Sequence, residues 1–247
     1  MKKTILFLST TLLFGYYAKV EPYQTYNIQA DISGKVIDVN TSAKATNYKG
    51  IVVRLDDYID KIELKNLKTQ LNNYKNILKS QEKILLKKEK TYKIYKNLKT
   101  KSQIEKDNKF FDYQNTLINI NQTKNTISNL KYQIKKLEDT IKKKHISFKH
   151  YIYDIKVNIG DFVTIGKPIA TTMDISKEKL VIYVPLDKIK SIKNKIIYIN
   201  NKKSNFKIDK IYKIADEKYT TSYKVELVGN GLKLSNIVEI KFKGNKW

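Results

Sequence analysis

Cysteine is absent from the 247-residue chain, and arginine and histidine are scarce, since Arg54, His145 and His150 are the only ones. The lack of cysteine excludes disulfides, thiolate metal sites and a lipid-modified N-terminal cysteine. A single arginine argues against nucleic-acid binding, because arginine binds phosphates and guanine edges bidentately whereas lysine acts as a point charge.

The two histidines carry no enzymatic signature. They are five residues apart, a spacing that does not share a helix face, and no carboxylate–histidine cluster accompanies them in the sequence. We therefore interpret both as surface or linker residues. The sequence predicts no catalytic residue, no metal and no cofactor, and the protein is not expected to be an enzyme.

Positive charge dominates the chain, which has a formal net charge of +25. Residues 58–144 contain 22 lysines and 9 acidic residues, so 13 of the excess charges lie there. These lysines are scattered around the predicted helices and form no stripe of their own. This pattern indicates a solvated surface, and a nucleic-acid partner is not expected.

The N-terminus has the three parts of a secretory signal. Lys2 and Lys3 precede an apolar run over residues 5–17, which is followed by Ala18. The run is shorter than the roughly 20 residues of a membrane span. We predict a signal peptide over residues 1–18, with an uncleaved N-terminal anchor as the alternative. Both predict export.

The long segment over residues 58–144 contains neither glycine nor proline and carries two heptad stripes. The stripes, which we call the seam, are Leu64, Leu67, Leu71, Tyr74, Leu78, Leu85, Tyr92 and Tyr95, and then Tyr113, Ile120, Ile127, Leu130, Ile134, Leu137 and Ile141. Apolar residues at alternating intervals of three and four predict a coiled coil. Asp56 and Asp57 precede it and suit the positive end of a helix.

A polar segment over residues 97–108 separates the two stripes. Within it, Ser102 and Glu105 have the spacing of a capping box, which starts a new helix. We therefore predict an antiparallel hairpin with its tip near residues 98–104. Each arm would reach about 60 Å at about 1.5 Å per residue. The alternative is one continuous helix that dimerises.

Short β patterns flank the predicted hairpin. Residues 25–57 contain three strands with turns at Gly34 and Gly50, and residues 146–176 contain strands joined by turns at Gly160–Asp161 and Gly166. Neither half can close a core alone. We therefore predict one small β-sandwich that the hairpin leaves and re-enters.

Residues 177–247 contain five or six short strands with a strong turn signal at Asn230–Gly231, which predicts a small β-barrel. The predicted fold class is therefore α+β. It consists of a long antiparallel α-helical coiled-coil hairpin inserted in a β-sandwich and followed by the barrel.

This order of units resembles that of periplasmic adaptor proteins, the hemolysin D-like membrane fusion proteins of tripartite efflux and type I secretion systems. The segment from Gly160 to Ile169 looks like the second lipoyl half of that family. The first half is similar through Ala30, Gly34, Val36, Gly50, Leu55 and Asp56, and departs at residues 42–45, where the family has a glycine–aspartate turn. At the tip, Leu98 and Ser102 fit the family's spacing, whereas Thr91 stands at its arginine position.

The resemblance implies a lipoyl-like sandwich and a periplasmic protein associated with the inner membrane. It implies that the protein links an inner-membrane transporter to an outer-membrane efflux channel, for efflux or type I secretion, as a homo-oligomeric ring. The partner-binding residues would be those of the tip: Leu98, Lys101, Ser102 and Gln103. The alternative for the tip is an ordinary solvated connection. The alternative for the protein is an exported basic coiled-coil scaffold that binds an acidic envelope surface.

Overall fold

The computed structural model describes residues 15–215 and 217–244, so the apolar part of the predicted signal over residues 5–14 lies outside the described residues. The helices are α1 (Tyr58–Asn97), α2 (Gln103–Lys144) and α3 (Ile189–Ile192). The strands are β1 (Tyr16–Lys19), β2 (Glu21–Gln29), β3 (Gly34–Val39), β4 (Ile51–Leu55), β5 (His145–Ser147), β6 (Tyr151–Ile155), β7 (Phe162–Val163), β8 (Pro168–Pro185), β9 (Ile196–Ile199), β10 (Lys202–Lys203), β11 (Lys207–Ala215), β12 (Ser222–Gly229) and β13 (Ile237–Lys243).

Helices α1 and α2 form the predicted antiparallel hairpin, because the chain reverses direction between Asn97 and Gln103. The alternative of one continuous helix is therefore wrong. The predicted seam residues of α1 are half-buried, and those of α2 include the buried Ile120, Ile127, Leu130 and Ile134. Near the tip the Tyr92 ring stacks on Tyr113 with centroids 6.0 Å apart. Apolar contact along the seam thus holds the two helices together.

The two β segments that flank the hairpin build one sandwich, as predicted. One sheet has the order β5-β4-β3-β7, and in the other β2 and β6 pair with opposite edges of the first half of β8. Gly34 pairs with Val163, and the Gly160 N–H donates to the Val36 carbonyl at 2.9 Å. The shared core is Ala30, Val36, Ala43, Val52, Val53, Leu55, Phe148, Ile152, Val157, Val163, Ile169 and Ala170. Residues more than 100 positions apart therefore bury the same apolar surface.

One further sheet and the continuation of the sheet that contains β8 enclose the second core and form the unit that we call the barrel. One sheet has the order β1-β13-β9-β10, and the other consists of β11, β12 and the second half of β8. Strand β1 was not predicted, because residues 16–18 fall in the segment that resembles a signal. In the structure Ala18 is buried in the barrel core and Tyr16 packs against it.

Strand β8 belongs to both β units. Its first half pairs with β2 and β6 in the sandwich, and its second half pairs with β12 in the barrel, without an interruption at the predicted boundary between residues 176 and 177. At about 3.3 Å per residue, its 18 residues span about 60 Å. None of the helices in the described ranges is long and apolar enough to cross a membrane.

Candidate partner-binding site at the hairpin tip

The tip consists of the end of α1, a short connection and the start of α2. Leu98 follows the last residue of α1, and its side chain is 39% exposed. Ser102 is the N-cap of α2, and its hydroxyl accepts a hydrogen bond from the Glu105 N–H at 3.3 Å. Glu105 in turn accepts one from the Ser102 N–H at 3.0 Å, which completes the predicted capping box. The start of α2 is therefore fixed by its own sequence.

The other predicted tip residues also make local contacts. Lys101 Nζ lies 2.9 Å from Glu105 Oε1, and Gln103 Nε2 donates to Asp107 Oδ1 at 2.7 Å. The hydrogen bond from Lys101 and those from the backbone and hydroxyl of Ser102 lower the pKa of Glu105 to about 2. The carboxylate therefore stays charged at the positive end of α2 at any physiological pH.

Apolar side chains that the seam does not use surround this polar connection. The exposed fraction is 50% for Ile94, 74% for Ile104 and 58% for Phe111. The predicted seam does not include this surface, although Ile104, Phe111 and Ile118 recur at intervals of seven in the sequence. The tip thus presents an apolar surface with a charged, fully hydrogen-bonded cap at its centre.

The base of the hairpin is built differently. Asp57 lies just before α1 with its side chain 5% exposed, and its Oδ2 is 2.9 Å from Lys61 Nζ and 2.6 Å from His145 Nε2. Burial alone would raise the pKa of Asp57, but the hydrogen bonds from Lys61 and His145 outweigh it and lower the pKa. Asp60 and Lys144 form a second ion pair between the two helices.

His145, interpreted as a surface or linker residue, directly follows α2, and its ring is half-buried against Asp57. Asp57 does not cap the helix with its side chain, whereas the Asp56 carboxylate accepts a hydrogen bond from the Tyr58 N–H at 3.1 Å. His150 stacks on the Tyr26 ring with centroids 5.0 Å apart. Sequence spacing could not reveal the Asp57–His145 pair, since 88 residues separate its members.

The predicted turn residues of the sandwich have different roles. Gly160 and Gly166 have positive φ angles of 95° and 84°, which a side chain would disfavour, and Asp161 Oδ2 accepts a hydrogen bond from the Asn158 N–H at 3.1 Å. Gly50 lies at a bend just before β4. Gly34 is the first residue of β3 and not part of a turn, and a Cβ there would lie 3.3 Å from the Leu55 Cβ.

No protein-family model matches the sequence, and no curated protein matches it either. Solved structures do match the fold. MacA from Actinobacillus actinomycetemcomitans has a TM-score of 0.74 at 15% identity, over 93% of this chain and 78% of its own. The membrane fusion protein Spr0693 from Streptococcus pneumoniae R6 has a TM-score of 0.66 at 8% identity, over 94% of this chain and 100% of its own.

A third matching structure contains a known α-hairpin domain. A MacA–MexA chimera that contains the Pseudomonas aeruginosa MexA α-hairpin domain has a TM-score of 0.53 at 15% identity, over 93% of this chain and 81% of its own. The chain therefore has the fold of membrane fusion proteins, with a long helical hairpin that extends from a β-sandwich. At these identities the similarity is one of fold.

Proposed function

We propose that this protein is a periplasmic adaptor, a non-enzymatic membrane fusion protein that links an inner-membrane transporter to an outer-membrane channel. One observation carries the proposal: the hairpin has a fixed base and an exposed apolar tip at the end of two helices of 40 and 42 residues. Such helices span about 60 Å. This length would suit a bridge between two membranes, for efflux or type I secretion.

The tip is the proposed contact with the channel. Leu98, Ile104 and Phe111 offer apolar surface just after α1 and on α2, and the capping box gives the Ser102 and Glu105 N–H groups their hydrogen-bond acceptors. Helical ends of a partner could pack against these side chains by the same knobs-into-holes contacts that form the seam. Lys101 and Gln103 would then lie at the rim of the contact.

A ring of several copies is the proposed assembly. Ile118 and Tyr132 lie on the exposed side of α2 farther from the tip, fourteen residues apart, and both are more than half exposed. Side chains with this period stay aligned along a supercoiled helix. A neighbouring hairpin that stands beside α2 would cover them, and repetition of that contact would give the ring.

The experiment compares two substitutions of similar exposure at opposite ends of the hairpin. The tip variant combines Leu98→Asp with Ser102→Asp, and the control is Ile62→Asp, because Ile62 is 42% exposed near the base. Aspartate caps helices as well as serine does, so the tip variant should remain folded. We expect it to lose co-purification with an outer-membrane channel and to lose export, while the control retains both. Export by the tip variant would refute the assignment.

The alternative of a basic coiled-coil scaffold makes a different prediction. Contacts between lysines and an acidic polymer weaken as salt is added, whereas apolar helix packing persists. Several hairpin lysines already pair with carboxylates of the hairpin itself, including Lys68 with Glu138 at 2.7 Å and Lys143 with Asp139 at 2.8 Å. These pairs leave the excess of positive charge on the hairpin unchanged, so the salt dependence of binding decides between the two functions.

A further inference from the structure

The register of the strands brings several lysine-rich segments to one end of the barrel. Strand β8 runs from the sandwich to Pro185, which pairs with Ser222 at the start of β12. Lys243, near the end of β13, pairs with Ile196 at the start of β9. The connection over residues 186–195 joins β8 to β9 and therefore lies at the same end.

The ring of Tyr16 on β1 reaches towards this end, where it packs edge-on against Phe242 with centroids 5.9 Å apart. Tyr16 pairs with Ile240 on β13, and burial together with the nearby Asp187 carboxylate raises the pKa of the Tyr16 hydroxyl. We call this end the distal face, and define it as residues 186–195 and 217–222 with Tyr16 and Lys243. It is the end of the barrel away from the sandwich and the hairpin.

The distal face is strongly basic. Its lysines are Lys188, Lys190, Lys193, Lys195, Lys218 and Lys243, and its acidic residues within the described ranges are Asp187 and Glu217. Across the described ranges, Lys190, Lys193 and Lys195 make no ion pair. On the flanks of the barrel, by contrast, Lys224 lies 3.0 Å from Glu226 and Lys241 lies 2.8 Å from Glu239.

These lysines project from a segment that the core holds in place. Ile192 is 3% exposed in the barrel core, and Ile189 packs against the same cluster. These two side chains hold the short helix α3 on the barrel. The three lysines Lys190, Lys193 and Lys195 all lie on its exposed side or just after it. The charge is therefore presented on a fixed surface.

Aromatic and aliphatic side chains accompany the charge. Leu186 is 44% exposed and Tyr219 is 43% exposed. Tyrosine and lysine next to exposed aliphatic groups are the combination found where proteins meet lipid headgroups.

We propose that the distal face binds the anionic headgroups of a lipid bilayer, so that the barrel rests directly on the membrane surface. Lysine suits this partner because the negative charge of a headgroup layer is diffuse. The ammonium group of lysine binds such a layer as well as the bidentate guanidinium group of arginine does. The contact does not depend on the adaptor proposal, since it uses the barrel and not the hairpin tip.

The test measures binding of the full chain to two kinds of vesicle. One is pure phosphatidylcholine, and the other contains roughly 30% phosphatidylglycerol to mimic an anionic leaflet. The ratio of the two affinities removes the contribution of the apolar N-terminal sequence, which both vesicles share. The distal variant is Lys190→Gln with Lys193→Gln and Lys195→Gln. The control is Lys79→Gln with Lys83→Gln and Lys90→Gln, which removes the same charge from exposed positions of the hairpin.

We expect phosphatidylglycerol to increase the affinity of the unmodified protein. In the distal variant this increase should be smaller by about 100-fold, because each lysine contributes roughly a fivefold gain in affinity. The control should change it less than about twofold, since its lysines would stay away from the surface. An equal or larger loss in the control would assign the charge effect to the hairpin and overturn the proposal. Equal binding of the unmodified protein to both vesicles would overturn it too, and would leave the face for a protein partner.

Discussion

Contacts between residues far apart in sequence hold the base of the hairpin, whereas contacts between near neighbours in sequence hold its tip. At the base, Asp57 and His145 are 88 residues apart in sequence, and Asp60 pairs with Lys144 across 84 residues. At the tip, Ser102 and Lys101 bind Glu105, three and four residues away. The base therefore exists only in the folded molecule, whereas the connection at the tip can form from its local sequence.

This difference separates stability from recognition. Substitutions at the base should weaken the attachment of the helices to the sandwich, because buried charges and core side chains lose their partners there. Substitutions at the tip should leave the fold intact, because its side chains are exposed or replaceable. The proposed docking surface can thus vary at the tip without loss of the structure that carries it.

The largest expected effect is the difference in the free energy of unfolding between Leu55→Ala and Leu98→Ala. Leu55 is 0% exposed in the sandwich core beneath Gly34, so its truncation should cost about 3 kcal/mol through lost burial and a cavity. Leu98 is 39% exposed, so the same truncation should cost less than about 1 kcal/mol. Hydrogen exchange of the β3 and β4 amides measures the first cost. Equal protection in both variants would contradict the distinction between base and tip.

The next effect is that of Asp57→Asn. The amide keeps the shape of the side chain but removes the charge that Lys61 and His145 contact, and we expect a loss of about 2 kcal/mol at neutral pH. The matched control is Asp56→Asn, because Asp56 is exposed and asparagine accepts the same hydrogen bond from the Tyr58 N–H. Hydrogen exchange of the amides in the first turn of α1 should be faster in Asp57→Asn than in Asp56→Asn.

The ionisation of Asp57 also predicts how the stability of the hairpin base depends on pH. Folding lowers the pKa of Asp57, so its charge stabilises the folded chain above its ordinary pKa of about 3.9. That stabilisation is lost as the pH falls through the lower pKa of the folded state. The base of the unmodified protein should therefore weaken below about pH 4, and Asp57→Asn should remove this dependence. The same acid sensitivity in Asp57→Asn would exclude Asp57 as its cause.

A smaller effect is expected for Ser102→Ala, which removes the N-cap of α2. Loss of a serine cap costs about 1 kcal/mol, and here it should appear as fraying of the first turn of α2. Ser102→Asp restores a cap and should reverse the fraying. Amide exchange at residues 103–106 measures both. Unchanged exchange in Ser102→Ala would mean that the connection is held by something other than the capping box.

The smallest effect is electrostatic. Lys101 contributes most to the lowered pKa of Glu105, so Lys101→Ala should raise that pKa from about 2 towards its ordinary value without a change of fold. Lys99→Ala is the control, because Lys99 is exposed in the same connection and makes no ion pair in the described part of the chain. Titration of the Glu105 carboxyl carbon by NMR distinguishes them. A pKa that stays near 2 in Lys101→Ala would contradict this assignment.

The sequence was sufficient where the signal is local and periodic. The interval of three and four residues predicts the seam from Leu64 to Ile141, and the spacing of Ser102 and Glu105 predicts the start of α2. The idea that one sandwich contains both Gly34 and Gly160 follows from a simpler argument. Neither half has enough strands for a core, and an antiparallel hairpin returns the chain to its starting point.

The sequence was not sufficient where partners are distant or a segment has two possible uses. Residues 16–18 continue an apolar run, so their pairing with β13 has no local sign. The continuity of β8 across two units is likewise hidden, because a strand that changes partners keeps the same alternation. The burial of Asp57 against His145 depends on where α2 ends relative to α1, and this is set by the whole hairpin.

The account rests on a tip that meets a channel while the base stays on the sandwich. The most direct measurement places a photo-crosslinking amino acid at position 98 or position 62 of the full-length protein in intact cells. We predict crosslinks from position 98 to an outer-membrane channel and none from position 62. Crosslinks to the channel from position 62 alone, or from neither position, would contradict it.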